Sequence, residues 1–330
     1  MKKNMTLIGH VSALLTIFIW GTTFISTKIL LRDFLPIEIL FFRFALGLAA
    51  LTLAYPHRLK LIDRKQEWLF VCAGLCGVTL YFLFENIALT YSMASNVGVT
   101  VAISPFFTAL LAHYFLDGEK LQARFFIGFV AAITGIIIIS YNGSTNFKLN
   151  PVGDLLAVLA AIVWAIYSIL TRKIGRFGYN AIAYTRHIFF YGLLFMLPAL
   201  FIFDFRFDFQ RFAEPVNLFN ILFLGLAASA LCFVTWNFSV KQLGAVRTSV
   251  YIYIVPVITV IASVVILKEQ VNLLSVLGIA LTLVGLIISE SKFSLRKKNP
   301  CPETDIHAAA TTVEQADAVT DEQMVGSVSE

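Results

Sequence analysis

Arg43, Glu85 and the adjoining Arg186 and His187 each lie inside a long apolar run of this 330-residue chain. A charged side chain in such surroundings needs a partner, a cavity or a path to water, so these positions are where chemistry is expected. Each arginine lies five or six residues into its run. It could face a central cavity and attract an anionic group, or pair with an acid. It could equally snorkel, since at 1.5 Å per residue it sits only about 9 Å from the surface. Glu85 follows Y-F-L-F and precedes N-I-A-L. A carboxylate there could pair with Arg43, carry a coupling proton or bind a substrate amine. Arg and Glu set among aromatic residues would suit a zwitterionic solute such as an amino acid or a nucleoside-bearing amino-acid derivative.

Amides and rings surround these charges. Asn86 and Asn237 must hydrogen-bond in apolar surroundings, to another helix or to a substrate. Trp20 and Trp164 fall mid-run, away from the interfacial belt usual for tryptophan, whereas Trp236 lies nearer a run end where a belt role is open to it. With Tyr81 and Tyr167 these rings could line an amphipathic pocket, or simply pack the core. His10 and His113 are lone histidines, expected to be packed or hydrogen-bonded. The four cysteines show no disulfide framework and no metal-ligand spacing, and Cys72 and Cys76 are expected to be small core residues. No metal or cofactor is expected.

The elements that must position these groups are membrane helices. The chain is 58% hydrophobic and 14% charged, with a mean hydropathy of +0.82. Apolar runs of about 20 residues recur, each long enough to cross a bilayer as a helix. A β-barrel would instead alternate over about ten residues per strand. Ten spans are predicted: 7–27, 37–55, 68–90, 97–116, 123–141, 153–171, 181–203, 217–240, 246–267 and 273–290. Lys2 and Lys3 resemble a signal-peptide start. However, the run 7–27 is too long for a signal core and no Ala-x-Ala site follows, so it is expected to stay as the first span.

The stretch Tyr81–Glu119 recurs as Cys232–Glu269. Asn86 aligns with Asn237, Ala94 with Ala245 and Pro105 with Pro256; one residue is then lost, and Glu119 aligns with Glu269. Gly128 and Gly135 align with Gly278 and Gly285. Arg43 and Arg186 are also repeat mates, but Glu85 is matched by Trp236, so the acid exists in one half only. The chain is therefore a duplicated unit. Five spans per copy make the second copy enter the membrane from the opposite side. The fold class is all-α membrane protein, with ten transmembrane helices as two inverted five-helix repeats. The expected domains are 1–145, 146–290 and a disordered acidic cytoplasmic tail, 291–330.

Pro105 and Pro256 each remove a backbone donor inside a span and would suit paired hinges or merely bends for packing. The glycine pairs, two turns apart, give a small-residue face for close helix contact, between the two halves or between subunits of a homodimer. Glu119 and Glu269 follow span ends, where interfacial capping is expected. With the N-terminus cytoplasmic, seventeen Lys and Arg fall inside and six outside, so both termini are predicted to be cytoplasmic. The basic excess lies at membrane surfaces and implies no nucleic acid. Residues 299–330 carry seven acidic groups and no Lys or Arg.

Several pieces recur in order: W-G-T-T-F at Trp20–Phe24, F-F-R-F at Phe41–Phe44, A-L-T-Y-S-M-A-S from Ala88, the span with Pro105, D-G-E at Asp117–Glu119, and Gly128/Gly135. The second half repeats them more loosely as Trp164, Tyr184–His187, Gly244–Ala245, Pro256, Lys268–Glu269 and Gly278/Gly285. Together they resemble the drug/metabolite transporter superfamily, in particular its EamA family, over residues 7–290. The resemblance implies a central substrate cavity between inverted halves, alternating access and traffic of small solutes in the bacterial inner membrane. Glu85 and the acidic tail depart from the general family pattern.

No G-x-x-x-x-G-K-[ST] loop is present, so a gradient or exchange must supply the energy. The leading expectation is a secondary transporter of a small polar or amphipathic metabolite, amino-acid-like or nucleoside-like. A passive channel and a multidrug exporter of the same fold are the alternatives. A membrane enzyme is disfavoured because H-E-x-x-H, G-x-S-x-G and paired intramembrane Asp are absent, and a scaffold because charges lie inside spans.

Overall fold

A computed structural model describes residues 2–91, 94–117, 123–141, 151–203, 205–206, 208–258, 261–262 and 273–290. The 145/146 boundary, Glu119, Glu269 and the acidic tail lie outside the described residues. Among those residues the chain forms ten membrane helices. In the first half these are α1 (Lys2–Leu30), α2 (Pro36–Ala54), α3 (67–91), α4 (Ala94–Val101, then Ser104–Phe115) and α5 (Ala123–Tyr141). The second half supplies α6 (Pro151–Arg176), α7 (Ala181–Ile202), α8 (Pro215–Leu243), α9 (Ala245–Ile258) and α10 (Leu273–Glu290). Because ten helices cross, α1 begins and α10 ends on the same face. That face is called terminal here, and the other distal.

The helices start where local chemistry favours it. Pro36 opens α2 at a position where its missing N–H costs nothing, and Glu38 reaches back to the Leu35 N–H at 2.8 Å. Asn180 caps α7 by accepting from the N–H groups of Ile182 and Ala183. Gly244, at φ +99°, turns α8 into α9 through one residue, a backbone state that glycine adopts without a Cβ clash.

The two halves exchange neighbours. The first helix of each half packs on the third helix of the other, α1 on α8 and α6 on α3. The second helices do the same, α2 on α8 and α7 on α3, and the fifth helices α5 and α10 pack on each other. The paired glycines make this last contact within one chain. A Cβ at Gly128 would come within 2.6 Å of the Gly285 carbonyl, and one at Gly135 within 2.6 Å of the Gly278 carbonyl. Backbones this close gain dispersion contacts that no larger residue would allow.

Two features were not foreseen. The third helix of each half contains a π-helical segment, Leu75–Leu80 in α3 and Phe223–Leu231 in α8. And α4 and α9 do more than bend. α4 is interrupted at Ala102–Ile103 and restarts with Pro105 in its first turn, while α9 passes through a 3-10 stretch, Tyr251–Ile254, just before Pro256. Proline is accommodated here by a helix restart, where its absent donor is unneeded. Elsewhere Cys72 is exposed, correcting its expected core placement, while Cys76 is half-buried and packs against the core. His10 is 2.6 Å from the Tyr251 hydroxyl, as a packed histidine should be, but His113 is exposed.

Candidate functional site

Where the two halves meet lies an open cavity, with about 550 Å³ of empty space including the solvent at its mouth. Trp20 and Thr23 of α1, Arg43 of α2, and Tyr81 and Glu85 of α3 line it from the first half. Both helix interruptions reach it: Val101, Ala102 and Ser104 around the break in α4, and Ile252 and Val255 around the 3-10 stretch of α9. Trp164 of α6 completes the second half's share. These residues lie at mid-depth and toward the distal face. On the terminal side the helices are tied by polar contacts. Tyr167 donates to Asn237 Oδ1 at 2.8 Å, Asn237 donates to Thr185 at 3.0 Å, and Ser239 donates to the Gly9 carbonyl at 2.9 Å.

The π segment of α8 positions two of the lining groups. A π turn shifts the backbone ladder and frees carbonyls from their usual partners. There Trp20 Nε1 donates to the Ala228 carbonyl at 2.9 Å, and Arg43 Nε donates to Ser229 Oγ at 3.0 Å. The Arg43 guanidinium also lies 4.3 Å from the Phe82 ring centre, a cation–π contact. Trp20, Trp164 and Trp236 form a cluster with ring centres 5.1–6.0 Å apart, and Tyr81 joins it 4.8 Å from Trp164. Repeat mates Trp20 and Trp164 thus meet where the two halves face each other.

The electrostatics are set by two groups. Arg43 is 2% exposed and Glu85 8%. Among the described residues no ion pair joins them, so they are not the direct pair the sequence suggested. They are close enough for each to feel the other's charge. Glu85 makes no hydrogen bond among the described residues, and Arg43 makes only the one through Nε.

The structure brings Trp20, Arg43, Tyr81, Glu85 and Trp164 to the cavity and leaves the other candidates outside its lining. Arg186 is a correction. Its Nη1 and Nη2 donate to the carbonyls of Tyr55 and His57 at 2.5 and 2.7 Å, closing the C-terminal end of α2 at the terminal face. Asn86 donates to the Pro36 carbonyl at 3.3 Å, a helix-to-helix tie, and Tyr167 and Asn237 bond each other. Trp236 is fully buried in the aromatic cluster and has no belt role. Val101, Ala102, Ser104, Ile252 and Val255 were missed. The paired prolines beside them were the available signal.

The model of the EamA-like transporter family matches residues 7–141 and 151–290. The chain belongs to this family. It is a multi-pass membrane protein of a transporter family. Among its relatives, an uncharacterized transporter of Archaeoglobus fulgidus is 28% identical over 294 residues, covering 86% of this chain and 97% of the relative. A probable terminal-alkyne amino-acid exporter of Streptantibioticus cattleyicolor is 25% identical over 275 residues, covering 83% and 90%. A protein of known crystal structure superposes with a TM-score of 0.69 at 20% identity, covering 87% of this chain and 96% of the other, and shares the fold.

Proposed function

We propose that this protein is a secondary carrier that moves a small amphipathic metabolite, amino-acid-like or nucleoside-like, by alternating access. The carrying observation is that one cavity between the halves is walled by the interrupted helices of both. Interrupted helices at mid-membrane offer backbone groups to a ligand and joints about which the halves can rock. The aromatic cluster supplies an apolar surface, and Arg43 and Glu85 supply charge, a composition usual for small-molecule sites. The relative named as an amino-acid exporter is consistent with such a substrate class. With both termini cytoplasmic in an inner membrane, the cavity lies toward the outer side and the polar ties close the inner side. Energy would come from a gradient or from exchange.

Counterflow in proteoliposomes tests this. Vesicles containing the purified protein are preloaded with metabolite extract and offered a labelled panel of amino acids and nucleosides. Saturable uptake stimulated by internal solute is expected. Flux that never saturates and is never stimulated would indicate a channel and overturn the reading.

A further inference from the structure

We infer that Glu85 sets the charge selectivity of the cavity, admitting solutes that carry an ammonium group together with an anionic group and rejecting solutes that carry only the anion. This rests on the carrier reading above and names the charge its substrate must have.

Both charged groups are more than nine-tenths buried and line one cavity. Arg43 uses Nε on Ser229 and its face on Phe82, and its two terminal nitrogens have no acceptor among the described residues. Glu85 has no donor among them. Each group is largely withdrawn from water, facing only the cavity, without a full set of partners among the described residues, a costly state for both. A ligand satisfies them together only if it offers an acceptor to Arg43 and a donor to Glu85. An anion alone answers Arg43 but brings a second negative charge toward Glu85, and an amine alone does the reverse.

Among the described residues the second half contributes no charge to the lining, because Arg186 has gone to the α2 terminus and the mate of Glu85 is Trp236. The ligand's charged end is therefore held by α2 and α3. Its apolar body lies against Trp164 and Trp20. Lys28, on the helix facing Leu89 one turn beyond Glu85, donates to the Leu89 carbonyl at 3.2 Å.

The test uses the purified full-length protein in detergent and two panels, free α-amino acids and the same compounds N-acetylated. Ligand-induced thermal stabilisation reports binding whether or not transport is observed, and counterflow is run in parallel. For the wild type, a free amino acid is expected to bind more tightly than its N-acetyl form. In Glu85→Gln that preference should fall on the order of 100-fold, as truncating one partner of a buried charge pair does. Glu85→Asp should keep the preference at reduced affinity, which guards against simple misfolding of the Gln variant. An unchanged preference in Glu85→Gln would overturn the inference. If gradient-driven flux were lost in that variant while the preference and exchange persisted, Glu85 would be a coupling site instead. A wild type that prefers the N-acetyl panel, or binds neither, would also overturn it. Counterflow of some other solute by such a protein would leave the carrier reading intact.

Discussion

Arg211 donates to both oxygens of Glu38, at 2.7 and 3.2 Å, and Glu38 is wholly buried. The hydrogen bonds to Glu38 hold the guanidinium above its usual range, so it stays charged at any working pH. The same carboxylate accepts from the Leu35 and Arg206 N–H groups, which pins the distal loop around the 3-10 turn Phe209–Ala213 onto the start of α2. Arg211→Met would strand a buried carboxylate, and a loss of about 3 kcal/mol is expected in denaturant or thermal unfolding. The two repeat-mate arginines should respond differently. Arg43→Lys replaces a planar fork wedged between Ser229 and Phe82, and exchange should fall on the order of 100-fold. Arg186→Lys alters a half-buried group that bonds carbonyls at the terminal face, away from the cavity, and exchange should stay within about twofold. Intramembrane Arg43 and Glu85 were legible in the sequence because charge in an apolar run is conspicuous. Which arginine faces the cavity was not legible, because each lies equally far into its span from opposite faces and the sequence does not show toward which face the cavity lies. Glu38 went unnoticed because its burial comes from a loop about 170 residues away.

At the scale of elements, span positions were nearly fully legible. The spans 123–141 and 273–290 coincide with α5 and α10, most others differ by a few residues at their ends, and the far end of 246–267 falls largely outside the described residues. Apolar length is a direct consequence of bilayer thickness, so composition alone encodes it. The π segments were not legible. They fall where α3 and α8 pack closely against α7 and α2, a contact the sequence does not display. At Gly74 a Cβ would come within 2.7 Å of the Ile188 carbonyl, and at Gly225 within 2.7 Å of Leu46 Cβ. The spacing of the glycines predicts contact faces, but only the fold shows that α5 and α10 use them on each other. Gly285→Val would press on Ala132 N, 2.5 Å from the new Cβ. A drop in thermal stability equivalent to about 1–3 kcal/mol is expected, with the charge preference of ligand binding retained.

For the whole molecule, the exchange of neighbours between halves makes one half the counterpart of the other, and the cavity lies where they meet. The aromatic cluster holds that meeting point with Trp20 against Trp164. The inverted duplication was readable from Asn, Pro and Gly in step. The asymmetry of the cavity was only half readable, since the absent second acid was visible and the displaced Arg186 was not. Alternating access requires that the walls at Ser104 be reached from each face in turn. The most direct measurement places one reporter, Ser104→Cys, in a chain whose Cys72, Cys76, Cys232 and Cys301 have been replaced. A membrane-impermeant thiol reagent is then applied to right-side-out and inside-out vesicles. Labelling from both faces is expected, with a substrate gradient shifting the balance between them. Labelling from one face only, under every gradient, would contradict a carrier that alternates.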